Sequence, residues 1–264
     1  MPEVISRGID LSKLYVIGTG PGDLQWLTPA AKQAIENSSD LVAYGLYLEL
    51  LGELTEGKQC HEQALGEEIQ RAKNALDIAA SGNTTSLISS GDIGIFAMAT
   101  LVFELLDKQP CAEWHNVDIE VLPGISAMQA AASRVGAPLG HDFCAISLSD
   151  LLTPWETIEK RITCAAEGDF VISFYNPVSK KRDWQLGKAK DIILTSRPAT
   201  TPVILGRNLT RETEAITITT LGELDPTHVD MLTLVMIGNS ESRVVNTPSK
   251  QWVYTPRGYS KKLS

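Results

Sequence analysis

Leu14-Tyr15-Val16-Ile17-Gly18-Thr19-Gly20-Pro21-Gly22-Asp23 is the most informative segment of this sequence. Its four apolar residues predict a short buried strand, which runs directly into a turn rich in glycine and proline. Thr28-Pro29 then predicts the start of a helix, with Thr28 as the N-cap and Pro29 at the first helical position. A strand, a glycine loop and a helix in this order are typical of an α/β protein whose loop binds a small molecule.

The glycine loop resembles part of the dinucleotide fingerprint G-x-G-x-x-G, but Asp23 stands where the last glycine belongs. The predicted helix also begins several residues too late to hold a pyrophosphate. A nucleotide-dependent oxidoreductase is one alternative function. Such an enzyme usually carries an acidic residue at the end of the second strand to bind the ribose, but here Asp40 precedes the second predicted strand. A plain tight turn is a second alternative.

Three predicted strands of the first half end in glycine-containing loops. The strands cover 14–17, 85–89 and 117–122, and the loops that follow include residues 18–23, 91–94 and 123–127. Because strands alternate with helices, we expect a mostly parallel sheet covered on both faces, with the three loops at one edge. This convergence predicts a ligand pocket built largely from backbone, with Asp92 as its fixed carboxylate; Asp92 as a helix N-cap is the alternative.

The remaining pattern predicts two α/β domains, the first with a mostly parallel sheet and the second with a mixed sheet. The expected limits are 12–136 and 141–257. A helix over 62–81 is predicted from Leu65, Ile69, Ala72, Leu76 and Ala79. Further helices are predicted at 29–37, 95–108, 127–134 and 155–167, and one more follows the basic segment 180–182 and ends at about 196. Further strands are predicted at 41–44, 143–148, 170–175, 202–205, 215–220 and 232–237. A turn at Gly45 is expected after the strand 41–44. The last two strands are close in sequence, so we expect them to be antiparallel neighbours.

Composition narrows the class of protein. The 264 residues carry a net charge of −9, which argues against general nucleic-acid binding because that needs a basic face. The four cysteines and four histidines lie scattered, without metal-ligand spacing. We therefore expect reduced thiols in a cytoplasmic protein and no structural metal. No apolar run approaches the roughly 20 residues that cross a membrane.

The glycine loops also resemble those of a known family. Segments 18–23, 90–96 and 123–127, in that order, are similar to the tetrapyrrole methylases, which use S-adenosylmethionine and act on precorrins and uroporphyrinogen. Segments 140–150, 154–156, 175–177 and 253–257 make the chain most similar to members that methylate C17 of precorrin-3B, or its cobalt form, and contract the ring in cobalamin biosynthesis. The resemblance implies the class III methyltransferase fold and a homodimer, with the cofactor folded into a cleft between the domains.

Other functions stay open beside this resemblance. A methyltransferase that acts at another position of a precorrin or uroporphyrinogen ring is one alternative, and a non-catalytic tetrapyrrole-binding protein is another.

The resemblance implies the following cofactor-binding residues: Pro21, Gly91, Asp92, Ile93, Phe96, Ser126, Ala127, Asn176, Asn208 and Leu234. Ile93 departs from the family, in which a proline commonly follows this aspartate.

The acceptor that the resemblance implies is a polycarboxylate, so we expect cations and hydroxyl groups to bind it. The predicted substrate-binding residues are Lys180, Lys181, Arg182, Arg207 and Ser147. For the run 180–182, a solvated surface is the alternative interpretation. Ring contraction benefits from a general acid or base, and His141, oriented by Asp142, is the predicted catalytic pair. A histidine that only makes structural hydrogen bonds is the alternative.

Overall fold

The structure is a computed structural model that describes residues 12–179 and 182–262. The chain divides into two compact units after Ser126. The first unit contains strands β1 (Lys13–Gly18), β2 (Asp40–Tyr44), β3 (Gln59–Gln63), β4 (Thr84–Ser89) and β5 (Asp118–Leu122), and helices α1 (Pro29–Asn37), α2 (Gly45–Leu51), α3 (Glu68–Ala80) and α4 (Met98–Lys108). The domain limits expected from the sequence, 12–136 and 141–257, stay a prediction.

The sheet of the first unit is parallel, with strand order β3-β2-β4-β1-β5. Its apolar strands are covered on both faces, as predicted. Ile17 packs with Ile35 of α1 on one face, whereas Leu14 packs with Leu76 of α3 and Val102 of α4 on the other. Because β4, β1 and β5 are neighbours and run in one direction, the loops that follow them lie side by side. The predicted convergence of the three glycine loops is confirmed.

Helix α1 begins as the sequence predicts. The Thr28 side chain accepts a hydrogen bond from the backbone N–H of Ala31, at 3.2 Å, and Pro29 takes the first helical position. The helix then buries Ala31, Ala34 and Ile35 against the sheet. Thr28 thus satisfies one of the backbone donors that a helix start leaves without an intrahelical partner.

The prediction for residues 45–81 was wrong in two places. Gly45 begins helix α2 in place of the expected turn, and Gln59–Gln63 forms strand β3, so that helix α3 begins only at Glu68. Leu65 and Ile69, expected on the buried face, are 63% and 59% exposed. The buried side of α3 consists of Arg71, Ala72, Ala75, Leu76 and Ala79. Strand β3 is a polar edge strand that shows no alternation of apolar residues, and its pairing with β2 decides its conformation.

The second unit contains strands β6 (Gly136–Ala137), β7 (Phe143–Ser147), β8 (Val171–Tyr175), β9 (Pro202–Arg207), β10 (Ala215–Thr220), β11 (Thr233–Ile237), β12 (Arg243–Asn246) and β13 (Gln251–Tyr254), and helices α5 (Ala127–Val135), α6 (Trp155–Glu167) and α7 (Gln185–Leu194). Its main sheet has the order β10-β9-β11-β8-β7 and is mixed, as predicted. The expectation that β10 and β11 are neighbours was wrong. They flank β9, because the short 208–214 connection makes a β9–β10 hairpin and leaves β11 to insert between β9 and β8.

Smaller features complete the second unit. Strands β12, β13 and β6 form a three-stranded sheet. The four cysteines are free thiols. Within 12–179 and 182–262, every helix falls short of the length and apolarity needed to cross a bilayer.

Candidate functional site

The first two glycine loops are joined backbone to backbone. The N–H of Gly20 donates to the carbonyl of Gly91 at 3.1 Å, and the N–H of Gly91 donates back to Gly20 at 2.6 Å. Both glycines have positive φ angles, +81° and +71°, which residues with a Cβ rarely adopt. The Ser90 hydroxyl also donates to the Gly20 carbonyl, at 3.2 Å. These bonds fix the loop after β1 against the loop after β4.

Gly18 and Gly124 bring the third loop into the same contact. A Cβ on Gly18 would lie 2.6 Å from the carbonyl oxygen of Gly91 and 2.8 Å from the nitrogen of Gly124. A Cβ on Gly124 would overlap the Gly91 carbonyl oxygen and lie 2.6 Å from the carbonyl carbon of Gly18. Only glycine allows three main chains to approach this closely. The carboxyl edge of the first sheet is therefore built largely from peptide groups.

The carboxylate of Asp92 links the second loop to the third. Its Oδ1 accepts a hydrogen bond from the N–H of Gly94 at 2.8 Å, and its Oδ2 accepts one from the N–H of Gly124 at 3.1 Å. The alternative that Asp92 caps the next helix was wrong, since α4 has Ala97 at its N-cap position. The observed role of this carboxylate is to hold two loops together, and its contact with a cofactor stays a prediction.

The side chains of Ile93 and Phe96 differ in their exposure to solvent. The Ile93 side chain is fully buried in the core of the first unit, so only its backbone is placed to meet a ligand. Phe96 is 52% exposed and has a φ of +52°, a strained conformation for a bulky residue. Such strain is concentrated at functional sites. Pro21 and Ser126 are buried within the first and third loops, and Ala127 begins helix α5.

The candidate residues of the second unit lie mostly at one edge of its main sheet. Strands β7, β8 and β9 run in the same direction, and Ser147, Asn176 and Asn208 stand at or just beyond their carboxyl ends. The Asn176 side chain donates a hydrogen bond to the Ser147 hydroxyl at 3.1 Å. Asn176 and Asn208 both have left-handed φ angles, +51° and +48°. Leu234, near this edge in β11, is only 4% exposed, so its side chain belongs to the core.

Two of the predicted substrate-binding residues, Arg207 and Arg182, are cations with described contacts to neighbouring groups. Arg207 donates through Nε to Asp230 at 2.8 Å. Burial alone would raise the pKa of Asp230, but hydrogen bonds from Arg207, Thr233 and the Leu232 N–H outweigh it and hold that pKa below its usual value. Among the described residues, the Arg182 side chain makes only long contacts, with Nη1 3.5 Å from the carbonyl oxygens of Leu148 and Asn176. The other predicted substrate-binding residues, Lys180 and Lys181, lie outside the described residues.

His141 and Asp142 lie at the opposite edge of that sheet, because they precede β7 whereas Ser147 ends it. Asp142 and Ser147 are five residue steps apart along extended chain, a distance of roughly 16 Å. The N–H of Asp142 donates to His141 Nδ1 at 2.8 Å, while the Asp142 carboxylate is 3.4 Å from that nitrogen. The Asp142 carboxylate therefore makes a loose contact with the ring, while its backbone N–H makes the shorter one. The catalytic assignment of this pair stays a prediction, and the structure does not bring the pair to the other candidates of the second unit.

Comparison with known proteins identifies the family. Residues 13–225 match the model of the Tetrapyrrole (Corrin/Porphyrin) Methylases. The chain belongs to the tetrapyrrole methylases. This methylase is 47% identical over 248 residues to a precorrin-3B C(17)-methyltransferase from a Sinorhizobium species, with 94% of the methylase and 97% of the relative covered. It is 44% identical over 247 residues to a probable cobalt-factor III C(17)-methyltransferase from Salmonella typhimurium, with 94% and 99% covered.

A solved structure agrees with the sequence relatives. The methylase matches a crystal structure of the methyltransferase CobJ with a TM-score of 0.87 and 41% identity, over 93% of the methylase and 100% of that chain. The predicted fold class and the resemblance to the family are confirmed. The methylase spans about half the length of several other curated relatives, among them 46% of a cobalt-factor III methyltransferase from Priestia megaterium.

One residue of the methylase's second unit was missed at the sequence level. The Tyr175 hydroxyl accepts a hydrogen bond from the N–H of Met128, at 3.1 Å, in the first turn of helix α5. It thus satisfies a donor that the helix start would otherwise leave free. Tyr175 ends β8 and directly precedes Asn176, so it fixes helix α5 to the edge that carries Asn176. The segment Tyr-Asn-Pro marked the place, but only the fold shows which helix the tyrosine reaches.

Proposed function

We propose that this methylase transfers a methyl group from S-adenosylmethionine to C17 of precorrin-3B, or of its cobalt form, with ring contraction in cobalamin biosynthesis. The observation that carries the proposal is 47% identity with a precorrin-3B C(17)-methyltransferase over nearly the full length of both chains. The choice between the metal-free and the cobalt-containing acceptor is open, because relatives of both names are similar to the methylase. Methylation at another ring position is the competing proposal within the family.

The loops of the first unit are suited to the methyl donor. S-adenosylmethionine supplies a methyl group that is already activated on a sulfonium. Close packing at Gly18, Gly91 and Gly124 keeps side chains away from this edge, so a ligand can reach peptide N–H and C=O groups. We infer that the methionine and adenosine parts are held by Pro21, Gly91, Asp92, the backbone of Ile93, Phe96, Ser126 and Ala127. Asn176, Asn208 and the backbone near Leu234 are the proposed contacts from the second unit.

The proposed methyl transfer depends on the alignment of donor and acceptor more than on a reactive side chain. Holding two reactants in line and close together can remove about 7–11 kcal/mol from a barrier. Loops tied by the Gly20–Gly91 bridge and by Asp92 are suited to this, because their geometry is set before a ligand arrives. For ring contraction, His141 with Asp142 stays the predicted general acid or base.

Cations of the second unit are the proposed contacts for the acceptor's carboxylates. A charge-assisted hydrogen bond contributes about 1.5–3 kcal/mol. Arg182, whose described contacts are long, is better suited to this than Arg207, which is already paired with Asp230. Ser147, Lys180 and Lys181 stay predicted contacts.

We also infer that the protein is cytoplasmic, since its four thiols are free. We infer a homodimer because the resemblance implies a pair of chains, and light scattering of the purified protein tests this oligomeric state.

The proposal is tested by methyl transfer. Purified protein is incubated with methyl-labelled S-adenosylmethionine and either precorrin-3B or its cobalt form, and the product is examined by mass spectrometry and NMR. We expect one labelled methyl group on C17 of a ring-contracted product with at least one of the two acceptors. Label at another carbon would favour the competing position, and no label with either acceptor would overturn the proposal. The absorbance of NADPH should stay unchanged when it is mixed with the protein. A change would instead favour the alternative of a nucleotide-dependent oxidoreductase.

A further inference from the structure

The loop between β7 and α6 displays two adjacent leucines to solvent. Leu151 is 76% exposed and Leu152 is 97% exposed, whereas Leu148 of the same loop is fully buried. Single exposed apolar residues are ordinary, but two large neighbours at the tip of one loop form an apolar contact surface. Neither residue contributes to the core of the second unit.

Polar and aromatic contacts on both sides of the leucines hold the loop. The Asp150 carboxylate accepts a hydrogen bond from the side chain of Gln185, at 3.1 Å, and Gln185 is fully buried. Beyond the leucines, the ring of Trp155 meets that of Trp184 edge to face, with centroids 4.7 Å apart. The two leucines are therefore presented on a supported loop.

The loop lies at the sheet edge that carries Ser147 and Asn176. The N–H of Leu148 donates to the carbonyl of Tyr175 at 2.9 Å, so the loop leaves the sheet beside the end of β8. Arg182 lies beneath it, with Nε 4.0 Å from the Asp150 carboxylate and a side chain that is 11% exposed. The described contacts of its guanidinium group lie at or beyond the limit of hydrogen bonding, so this cation is weakly paired for its degree of burial.

We propose that Leu151 and Leu152 contact the flat apolar face of the acceptor macrocycle while Arg182 binds one of its peripheral carboxylates. This inference rests on the proposed function and assigns a binding role to the two leucines. An apolar pair beside an under-paired cation matches a ligand with an apolar face and an anionic rim. A second protein chain fits less well, because a stable interface buries about 1,200–2,000 Å² and two leucines supply only roughly a few hundred.

The test compares matched double variants of the full chain. L151S/L152S removes the apolar pair, L151M/L152M keeps it apolar, and L65S/I69S removes two residues that are also exposed but lie in the first unit. We expect L151S/L152S to raise the KM for the precorrin acceptor about 10- to 100-fold, because apolar contact area is lost. The other two variants should stay close to the wild type, and all should bind S-adenosylmethionine equally in calorimetry.

Three results would overturn the inference. The first is an unchanged KM in L151S/L152S. The second is an equal loss of S-adenosylmethionine affinity in that variant, which would indicate a general disturbance. The third is a change of its molecular mass in light scattering, which would mean that the leucines cover a second copy of the chain. Because wild-type turnover is measured in the same assay, failure of the proposed function would show as no methyl transfer by the wild type.

Discussion

The carboxylate of Asp92 accepts a hydrogen bond from the backbone N–H of Gly124, across 3.1 Å in space and 32 positions of sequence. The same carboxylate accepts a second bond from the N–H of Gly94. One side chain therefore joins loops that leave two different strands, β4 and β5. These strands flank β1 in the sheet, so the link closes over the glycine loop that lies between them.

Replacing Asp92 with alanine should weaken S-adenosylmethionine binding without unfolding the chain. The change leaves the N–H groups of Gly94 and Gly124 without their acceptor. Gly94 is exposed, so water can replace that bond, but Gly124 is buried, where an unmade bond costs about 1–3 kcal/mol. We expect the Kd to rise at least about tenfold in calorimetry. Asp107→Ala, an exposed carboxylate of helix α4, is the matched control and should bind normally. Wild-type affinity in Asp92→Ala would contradict the proposed role of the loops.

Gly18→Ala should destabilise the fold. Its Cβ would meet three backbone atoms within 2.8 Å, and main chains of three loops cannot all move aside. We expect the free energy of unfolding in urea to fall by about 1–3 kcal/mol or more. Gly187→Ala is the control, since Gly187 lies in helix α7 and its nearest neighbour would be 3.9 Å away. That variant should gain about 0.5–1 kcal/mol, because alanine is favoured over glycine inside a helix. A Gly18→Ala protein of normal stability would show that the close packing is absent.

Phe96→Gly should separate stability from binding. Glycine relieves the strain of the left-handed backbone, which costs about 1–2 kcal/mol for other residues, but it also adds freedom to the unfolded chain. We expect the free energy of unfolding to change by less than about 1 kcal/mol, while calorimetry shows weaker binding of S-adenosylmethionine. Weakened binding would support contact between the Phe96 side chain and the ligand. Unchanged affinity would remove Phe96 from the proposed cofactor residues.

The ion pair between Arg134 and Glu214 predicts a pH dependence of stability. Burial alone would raise the pKa of Glu214, but the Arg134 side chain, with Nε 2.8 Å away, and the Thr210 N–H outweigh it and lower that pKa. A lowered pKa stabilises the folded chain above the unfolded value of about 4.3, and this stability is lost as the pH falls through the folded pKa. The free-energy difference between wild type and Glu214→Gln in urea should therefore shrink from pH 7 towards pH 3. A constant difference would contradict the shift.

Short sequence signals predicted the ends of helices α1 and α6 correctly, because capping and proline chemistry act within a few residues. Helix α1 begins and ends at the predicted residues because Thr28-Pro29 is a strong start signal, and helix α6 does so after Pro154. Strand β3 was missed because an edge strand of polar residues has no apolar alternation to recognise. Of the buried face predicted for α3, Ala72, Leu76 and Ala79 are buried as predicted. Leu65 precedes the helix, and Ile69 lies on its exposed side.

The candidate site was predictable to the level of loops but not of side chains. Three glycine-rich strand ends indicated one edge, and the parallel sheet confirms it. No sequence pattern shows that Ile93 turns its side chain into the core. The separation of His141 from Ser147 did have a sequence signal, because one precedes a predicted strand and the other lies near its end. A pair of candidates at the two ends of one strand cannot share a site on one edge.

A crystal structure of the methylase with S-adenosylhomocysteine tests the proposed donor site most directly. We expect the ligand to lie on the carboxyl edge of the first sheet, with hydrogen bonds to peptide groups of residues 20–22, 91–93 and 124–127. Binding at the amino edge of either sheet, or away from these three loops, would contradict the proposal.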